Sequence, residues 1–352
     1  MGKVLMKGNE AIAEAAIRAG CRYFFGYPIT PQNEIPEYLS RELPRHGGVF
    51  IQAESEVAAI NMLHGGAATG KRCMTSSSAC GISLKSEGIS YIAAAEVPCV
   101  IVDMSRLGPG MGGMQPTQSS YRQATRGGGH GGYRSIVFCP GTIQEAFDMM
   151  FDAFDAADHY RMISYIYADG LIGQVMEPVQ LRDPVDVESL PKVDWGMTGR
   201  HGRSKGNYIN SSMDPDRYER LIHEKYETIK KEMQRWKARD LEDCDYVVTA
   251  FGTVGRIAEH AVKKFKEKTG MRIGFLRPLI AWPFPEKGYA LIPESCRKVV
   301  VIEANDGQML EDVLITLQGR FPVEFEGTYG SLIPSVDQVT AMLERQFGQG
   351  VQ

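Results

Sequence analysis

Glu56 and Arg106 are the residues whose types and positions point most directly to chemistry. Glu56 opens a helical pattern directly behind a short apolar run. A carboxylate there either offsets the partial positive charge of the helix start or handles a proton. Arg106 ends the apolar run Cys99 to Ser105. A guanidinium at the carboxyl end of a strand either grips a carboxylate through two parallel hydrogen bonds or is an ordinary surface charge. Gly26-Tyr27-Pro28-Ile29-Thr30-Pro31 joins a third strand end to a helix start, where a hydroxyl and free backbone N–H groups meet an anion, a carbonyl or only the helix itself. Thr75-Ser76-Ser77-Ser78 follows a further strand, so several polar loops converge on one sheet edge.

Two glycine patterns imitate phosphate loops. Gly65 to Lys71 has P-loop spacing, but Arg72 stands where a magnesium-binding hydroxyl belongs, and the glycines follow a helix and precede a strand. A helix end and turn explains them. Gly108, Gly110 and Gly113 satisfy a dinucleotide spacing, yet Pro109 and Pro116 flank no clear helix and no acidic residue follows at the ribose position. The nine glycines between Gly108 and Gly132 read instead as a binding loop or lid.

These residues require a particular frame. Helix signals alternate with short apolar runs over the first 170 or so residues, the pattern of a parallel sheet covered by helices. Asn9 is expected to cap a first helix, Thr30-Pro31 to open a second, and Thr142 to Glu145 to form a capping box before a long helix with Phe147, Met150, Phe151 and Phe154 on one face. Around residues 178–243 the pattern loosens and ends in a charged helix. Tyr218, Ile222, Tyr226, Ile229, Met233 and Trp236 form its stripe, packed on the chain's own body or on another subunit. A second α/β unit starts near Asp245 and finishes in a helix capped by Ser335 and Gln338.

Composition agrees with two domains. A length of 352 residues exceeds one usual core, and 43% hydrophobic with 23% charged residues is globular. A net charge of -4, with basic and acidic residues interspersed, argues against a nucleic-acid partner. No apolar run spans a bilayer and no leader pattern is visible, so the expectation is a soluble cytoplasmic protein without a membrane partner. Cys21, Cys73, Cys80, Cys99, Cys139, Cys244 and Cys296 are scattered without CxxC spacing, so neither a structural zinc nor a self-contained iron–sulfur cluster is expected in this chain.

The segments GNEAIAEAAIRAGCRYFFGYPITPQNEI, IQAESEVAAINM, TSSSACGISLKSEGISY and AEVPCVIVDMSRLGPG, followed by FLRPLIAWPFPEK and VVVIEANDGQMLEDV, occur in order over nearly the whole chain. Together they resemble the α subunit of the 2-oxoacid:ferredoxin oxidoreductases, most of all the branched-chain, 3-methyl-2-oxobutanoate (2-ketoisovalerate) type. The resemblance implies two α/β domains, each a mainly parallel sheet flanked by helices. Residues 1–180 would be a thiamin diphosphate pyrimidine-binding domain, 181–243 a connecting region with the charged helix, and 244–352 a transketolase C-terminal-like domain. Glu56 matches the carboxylate that hydrogen-bonds the aminopyrimidine. There it favours the imino tautomer, whose nitrogen removes the thiazolium C2 proton. Tyr27, Pro28 and Ile29 match cofactor contacts, and Thr30 and Arg106 match contacts to the substrate carbonyl and carboxylate. The implied reaction is oxidative decarboxylation of a 2-oxoacid, with the acyl group passed to coenzyme A and electrons to ferredoxin.

That family binds the diphosphate through magnesium with a Gly-Asp-Gly followed by an asparagine. Here Ala168-Asp169-Gly170 is followed by none until Asn207. The resemblance therefore implies a β subunit carrying the Mg2+–diphosphate site and a [4Fe-4S] cluster, besides a γ subunit and a ferredoxin-like chain. Relatives acting on 2-oxoglutarate, the alternative substrate, carry a different loop after the arginine; Met111 and Met114 here suggest an apolar lining. Cys80 replaces a common proline, as a reactive thiol or a small buried residue. A scaffold subunit without catalysis and a nucleotide-dependent dehydrogenase using Gly108 to Gly113 are the readings from other classes.

Overall fold

The computed structural model describes residues 2–199, 214–330 and 333–348; Asn207 lies outside them. A seven-stranded sheet runs in the order Ile280–Trp282, Ile136–Phe138, Ile163–Asp169, Cys99–Ser105, Cys73–Ser77, Tyr23–Gly26, Val49–Gln52. All neighbours are parallel except the first pair. The central strand Cys99–Ser105 is buried at all seven positions, which is why its sequence is nearly continuously apolar rather than alternating. A five-stranded sheet has the order Val323–Gly327, Lys298–Glu303, Tyr246–Thr249, Ile273–Pro278, Trp236–Arg239, with only the last pair antiparallel. Val4–Lys7 pairs with Met176–Val179 in a separate ribbon.

The two units share their interior. Ile280–Trp282 leaves the second unit to join the first sheet, and one apolar cluster runs from Phe147 through Phe251 to Met309. Helix Ile143–Tyr160 buries Phe147 and Phe154 against it, each contributing about 1.5–3 kcal/mol. Thr142 accepts a bond from Glu145 N at 3.0 Å, but the Glu145 carboxylate turns to Gly141 N and Arg277, so only half of the expected capping box forms. The box of the last helix, Val336–Phe347, is complete.

Two helix starts differ from the sequence expectation. Asn9 lies inside helix Gly8–Arg18, and its side-chain amide donates to Pro31 O and Glu34 Oε2, both at 2.7 Å. Thr30-Pro31 does not open a helix: the helix is Glu34–Glu42, because the Pro31 carbonyl is the acceptor for Asn9 and Gln174 and the chain turns there instead. The charged helix Pro215–Glu232 packs on the chain's own body. Ile222 and Ile229 are buried, and Tyr226 accepts a bond from Arg134 N and meets Trp282 edge-on. Trp236 has already entered the strand that edges the second sheet, within the stretch expected to connect the units. No helix among the described residues is long and apolar enough to cross a membrane.

Candidate active site

Parallel strands deliver their following loops to one edge, and the candidate residues gather there. Glu56 begins helix Glu56–Ala67 behind the edge strand Val49–Gln52, with Ser55 capping through Ala58 N at 3.2 Å. Its side chain is buried, yet neither carboxylate oxygen takes a hydrogen bond or an ion pair among the described residues. Glu56 and Arg106 flank the first turn of helix Ala79–Ala94. A Cβ at Gly81 would lie 2.8 Å from Glu56 Oε1 and 2.2 Å from Ser77 Oγ, so only glycine lets the glutamate approach this turn. On the other flank Arg106 Nη2 lies 3.9 Å from Cys80 Sγ.

Arg106 is held by carbonyls. Nη1 donates to Thr30 O at 2.7 Å and Nη2 to Met111 O at 3.1 Å, while Nε is buried without a partner. The loop after it folds back on itself, with Leu107 N bonded to Gln115 O and Gly113 N to Leu107 O. No helix follows Gly113 until Tyr121–Arg126, so the dinucleotide reading of these glycines lacks its helix. The P-loop-like glycines close helix Glu56–Ala67 in a turn with Gly70 at φ +85°. Met111 and Met114 are 80% and 67% exposed. Their side chains face solvent, so the apolar wall beside Arg106 is Leu107 and Pro109 rather than the two methionines.

The loop from Tyr27 to Asn33 is pinned from inside. Gln32, fully buried, donates to Tyr27 O at 3.3 Å and accepts from Ser76 Oγ at 2.5 Å, and its backbone N–H reaches Ile29 O. Tyr27, Ile29 and Thr30 are half-buried and Pro28 is exposed along the same rim; the Thr30 hydroxyl makes no bond among the described residues. Sequence reading missed Gln32, whose signal was an amide at a core-facing position, and read Asn9 only as a helix cap. A cavity of about 470 Å³ opens beside Arg106 between this edge and the second unit, bordered by Cys80, Ser120, Asn305 and Thr328. Cys80 is half-exposed in that border, whereas the other six cysteines are buried. Asp169, in the segment resembling a diphosphate motif, spends one carboxylate oxygen on Leu171 N and Ile172 N as a helix cap.

A parallel sheet whose carboxyl edge presents a glutamate without a protein hydrogen-bond partner at a helix start, backed by a second α/β unit, has the form of the pyrimidine-type half of a thiamin diphosphate enzyme. The family pattern described as pyruvate flavodoxin/ferredoxin oxidoreductase, thiamine diphosphate-binding, matches residues 14–245, and pyruvate:ferredoxin oxidoreductase core domain II matches 244–339. The chain belongs to this family, that of the 2-oxoacid:ferredoxin oxidoreductases. It is 42% identical to ketoisovalerate oxidoreductase subunit VorB of Methanothermobacter marburgensis over 89% of both chains. It is 35% identical to 2-oxoglutarate synthase subunit KorA of Methanocaldococcus jannaschii over 88% of this chain and 90% of that one. In fold it superposes on 2-oxoglutarate:ferredoxin oxidoreductase from Magnetococcus marinus with a TM-score of 0.82 at 23% identity, over 98% of this chain and 65% of that one.

Proposed function

We propose that the chain is the α subunit of a branched-chain 2-oxoacid:ferredoxin oxidoreductase, which converts 3-methyl-2-oxobutanoate and coenzyme A to acyl-CoA and carbon dioxide and passes electrons to ferredoxin. The observation that carries this reading is Glu56, a largely buried side chain whose carboxylate takes no hydrogen bond among the described residues, set against the first turn of a helix whose other flank holds Arg106. A carboxylate left free of protein partners at this edge fits the N–H of an aminopyrimidine, because a hydrogen bond to a charged acceptor is among the stronger ones. Thiamin diphosphate supplies, when bound, the carbon nucleophile that adds to the 2-oxo group and stores the electrons released by decarboxylation. Glu56 accepts the ring N–H and holds the proton at its carboxylate edge. Tyr27, Pro28 and Ile29 form the rim beside it. The Thr30 hydroxyl donates to the substrate carbonyl. Arg106 exchanges the Met111 carbonyl for the substrate carboxylate, a stronger acceptor because it is charged.

The branched-chain assignment draws on the higher identity to VorB than to KorA and on the cavity itself. Leu107 and Pro109 line it, and among its described lining residues Arg106 is the one Lys or Arg, leaving no second cation for the distal carboxylate of 2-oxoglutarate. In this reading a β subunit brings magnesium, the diphosphate contacts and a [4Fe-4S] cluster, with a γ subunit and a ferredoxin-like chain completing the complex. Oxoacid-dependent viologen reduction should appear only after mixing with the β partner, with 3-methyl-2-oxobutanoate preferred over 2-oxoglutarate. Turnover by this chain alone, or the reverse preference, overturns the corresponding half of the reading.

A further inference from the structure

Lys85 is fully buried, and its Nζ makes neither a hydrogen bond nor an ion pair among the described residues. Burying an ammonium without a partner is among the costlier things a fold can do. Its position on helix Ala79–Ala94 is specific. Gly81, Lys85 and Gly88 fall on one stripe, and a Cβ at Gly88 would sit 2.5 Å from Ile60 Cγ2 while one at Gly81 would sit 2.8 Å from Glu56 Oε1. That stripe is packed on helix Glu56–Ala67. Side chains of a helix lean toward its N-terminus, so the Lys85 stem passes over Gly81, where there is no side chain to block it, in the direction of Glu56. Ser77 Oγ, which crowds the same point, is also buried without a partner. Burial lowers the Lys85 amine to about 8, and the Glu56 carboxylate is the charge that acts against this fall.

We propose that Lys85 is a positioning residue for Glu56: its ammonium, held in the seam between the two helices, keeps the Glu56 carboxylate turned toward the sheet edge, ready to accept the ring N–H of the cofactor. A purely structural residue here would be apolar. Methionine has similar length and loses no hydrogen bond, so a structural role for the lysine and a positioning role predict different outcomes for Lys85→Met. The inference rests on the thiamin diphosphate reading above.

The test uses the complex reconstituted with its partner, measuring melting temperature and calorimetric binding of two ligands in magnesium. One is thiamin diphosphate; the other is its deaza analogue, in which the ring nitrogen facing Glu56 is replaced by C–H. Lys85→Met should leave the melting temperature equal or higher and weaken thiamin diphosphate about tenfold, the scale of one weakened hydrogen bond to a charged group. The deaza analogue should bind wild type and variant alike. Lys85→Gln, which keeps polarity without charge, should behave as Lys85→Met and provides the answer if the methionine variant fails to assemble. Equal weakening of both ligands makes Lys85 a packing residue and overturns the proposal, as does no weakening of either. If the wild-type complex binds neither ligand, the cofactor reading falls and the proposal with it. Wild-type binding with an indifferent Lys85→Met removes only the role of Lys85.

Discussion

The carboxyl edge of the seven-stranded sheet and the seam between the two units bury polar groups in opposite ways. At the seam the charged groups are paired, although Arg277 Nε and Thr253 Oγ1 are buried without a hydrogen bond. Arg277 donates to both Glu145 oxygens at 2.9 and 2.6 Å, Gln118 bonds Phe251 O and Ala304 N, and Tyr121 and Arg126 share Asp312. At the edge and just behind it Glu56 has no hydrogen-bond partner, and Lys85 Nζ, Ser77 Oγ, Thr75 Oγ1, Arg106 Nε and both Asp103 oxygens are buried without one. Each such orphan costs about 1–3 kcal/mol. The paired charges of the seam thus hold the two units together, while the edge keeps unpaired polar atoms that destabilise the chain. Asp103 shows the strain: burial alone raises its carboxyl to about 7.

Substitutions separate the two regions. Arg106→Leu should cost about 10²-fold in kcat/KM of the complex, the worth of a charge-assisted pair, and Arg106→Lys should recover part of it. Steady-state kinetics with 3-methyl-2-oxobutanoate would show this, and an indifferent Arg106→Leu breaks the assignment of the edge to substrate. Arg277→Met should instead cost about 1–3 kcal/mol of stability, because Glu145 loses two charge-assisted bonds and keeps only Lys237 and Gly141 N, with activity per folded molecule unchanged. Acid unfolding should locate the same pair. Burial resists ionisation of Glu145, but the bonds and charge of Arg277, aided by Lys237, outweigh it and hold the carboxyl at about 2. A folded-state value below the unfolded one stabilises above the ordinary value of 4.5, and that stability is lost as pH falls from about 4.5 toward about 2. Arg277→Met should narrow this window; an unaltered acid transition would remove the pair from the seam's stability.

The sequence made the edge legible wherever local pattern decides structure. The apolar run Cys99 to Ser105 is a strand with those bounds, the Ser335 box caps its helix, and Glu56 starts one. Partners distant in sequence were not legible. Asn9 looked like a cap because local spacing allows it, but Pro31 and Glu34, brought near by the fold, take its amide. Thr30-Pro31 looked like a helix start for the same reason. Met111 and Met114 suggested an apolar lining, yet a loop closed by its own backbone bonds turns them outward. Lys85 left a signal that composition hides, a lysine between two glycines on the buried stripe of its helix.

Exchange of the thiazolium C2 proton with solvent deuterium, followed by NMR in the complex reconstituted with Glu56→Gln, tests the central claim most directly. It reads the proton step apart from substrate binding, coenzyme A and electron transfer. The account predicts an unchanged melting temperature with exchange slowed at least about 10²-fold, the scale of a lost acid–base group. Exchange at the wild-type rate in a folded, cofactor-loaded Glu56→Gln complex would contradict it.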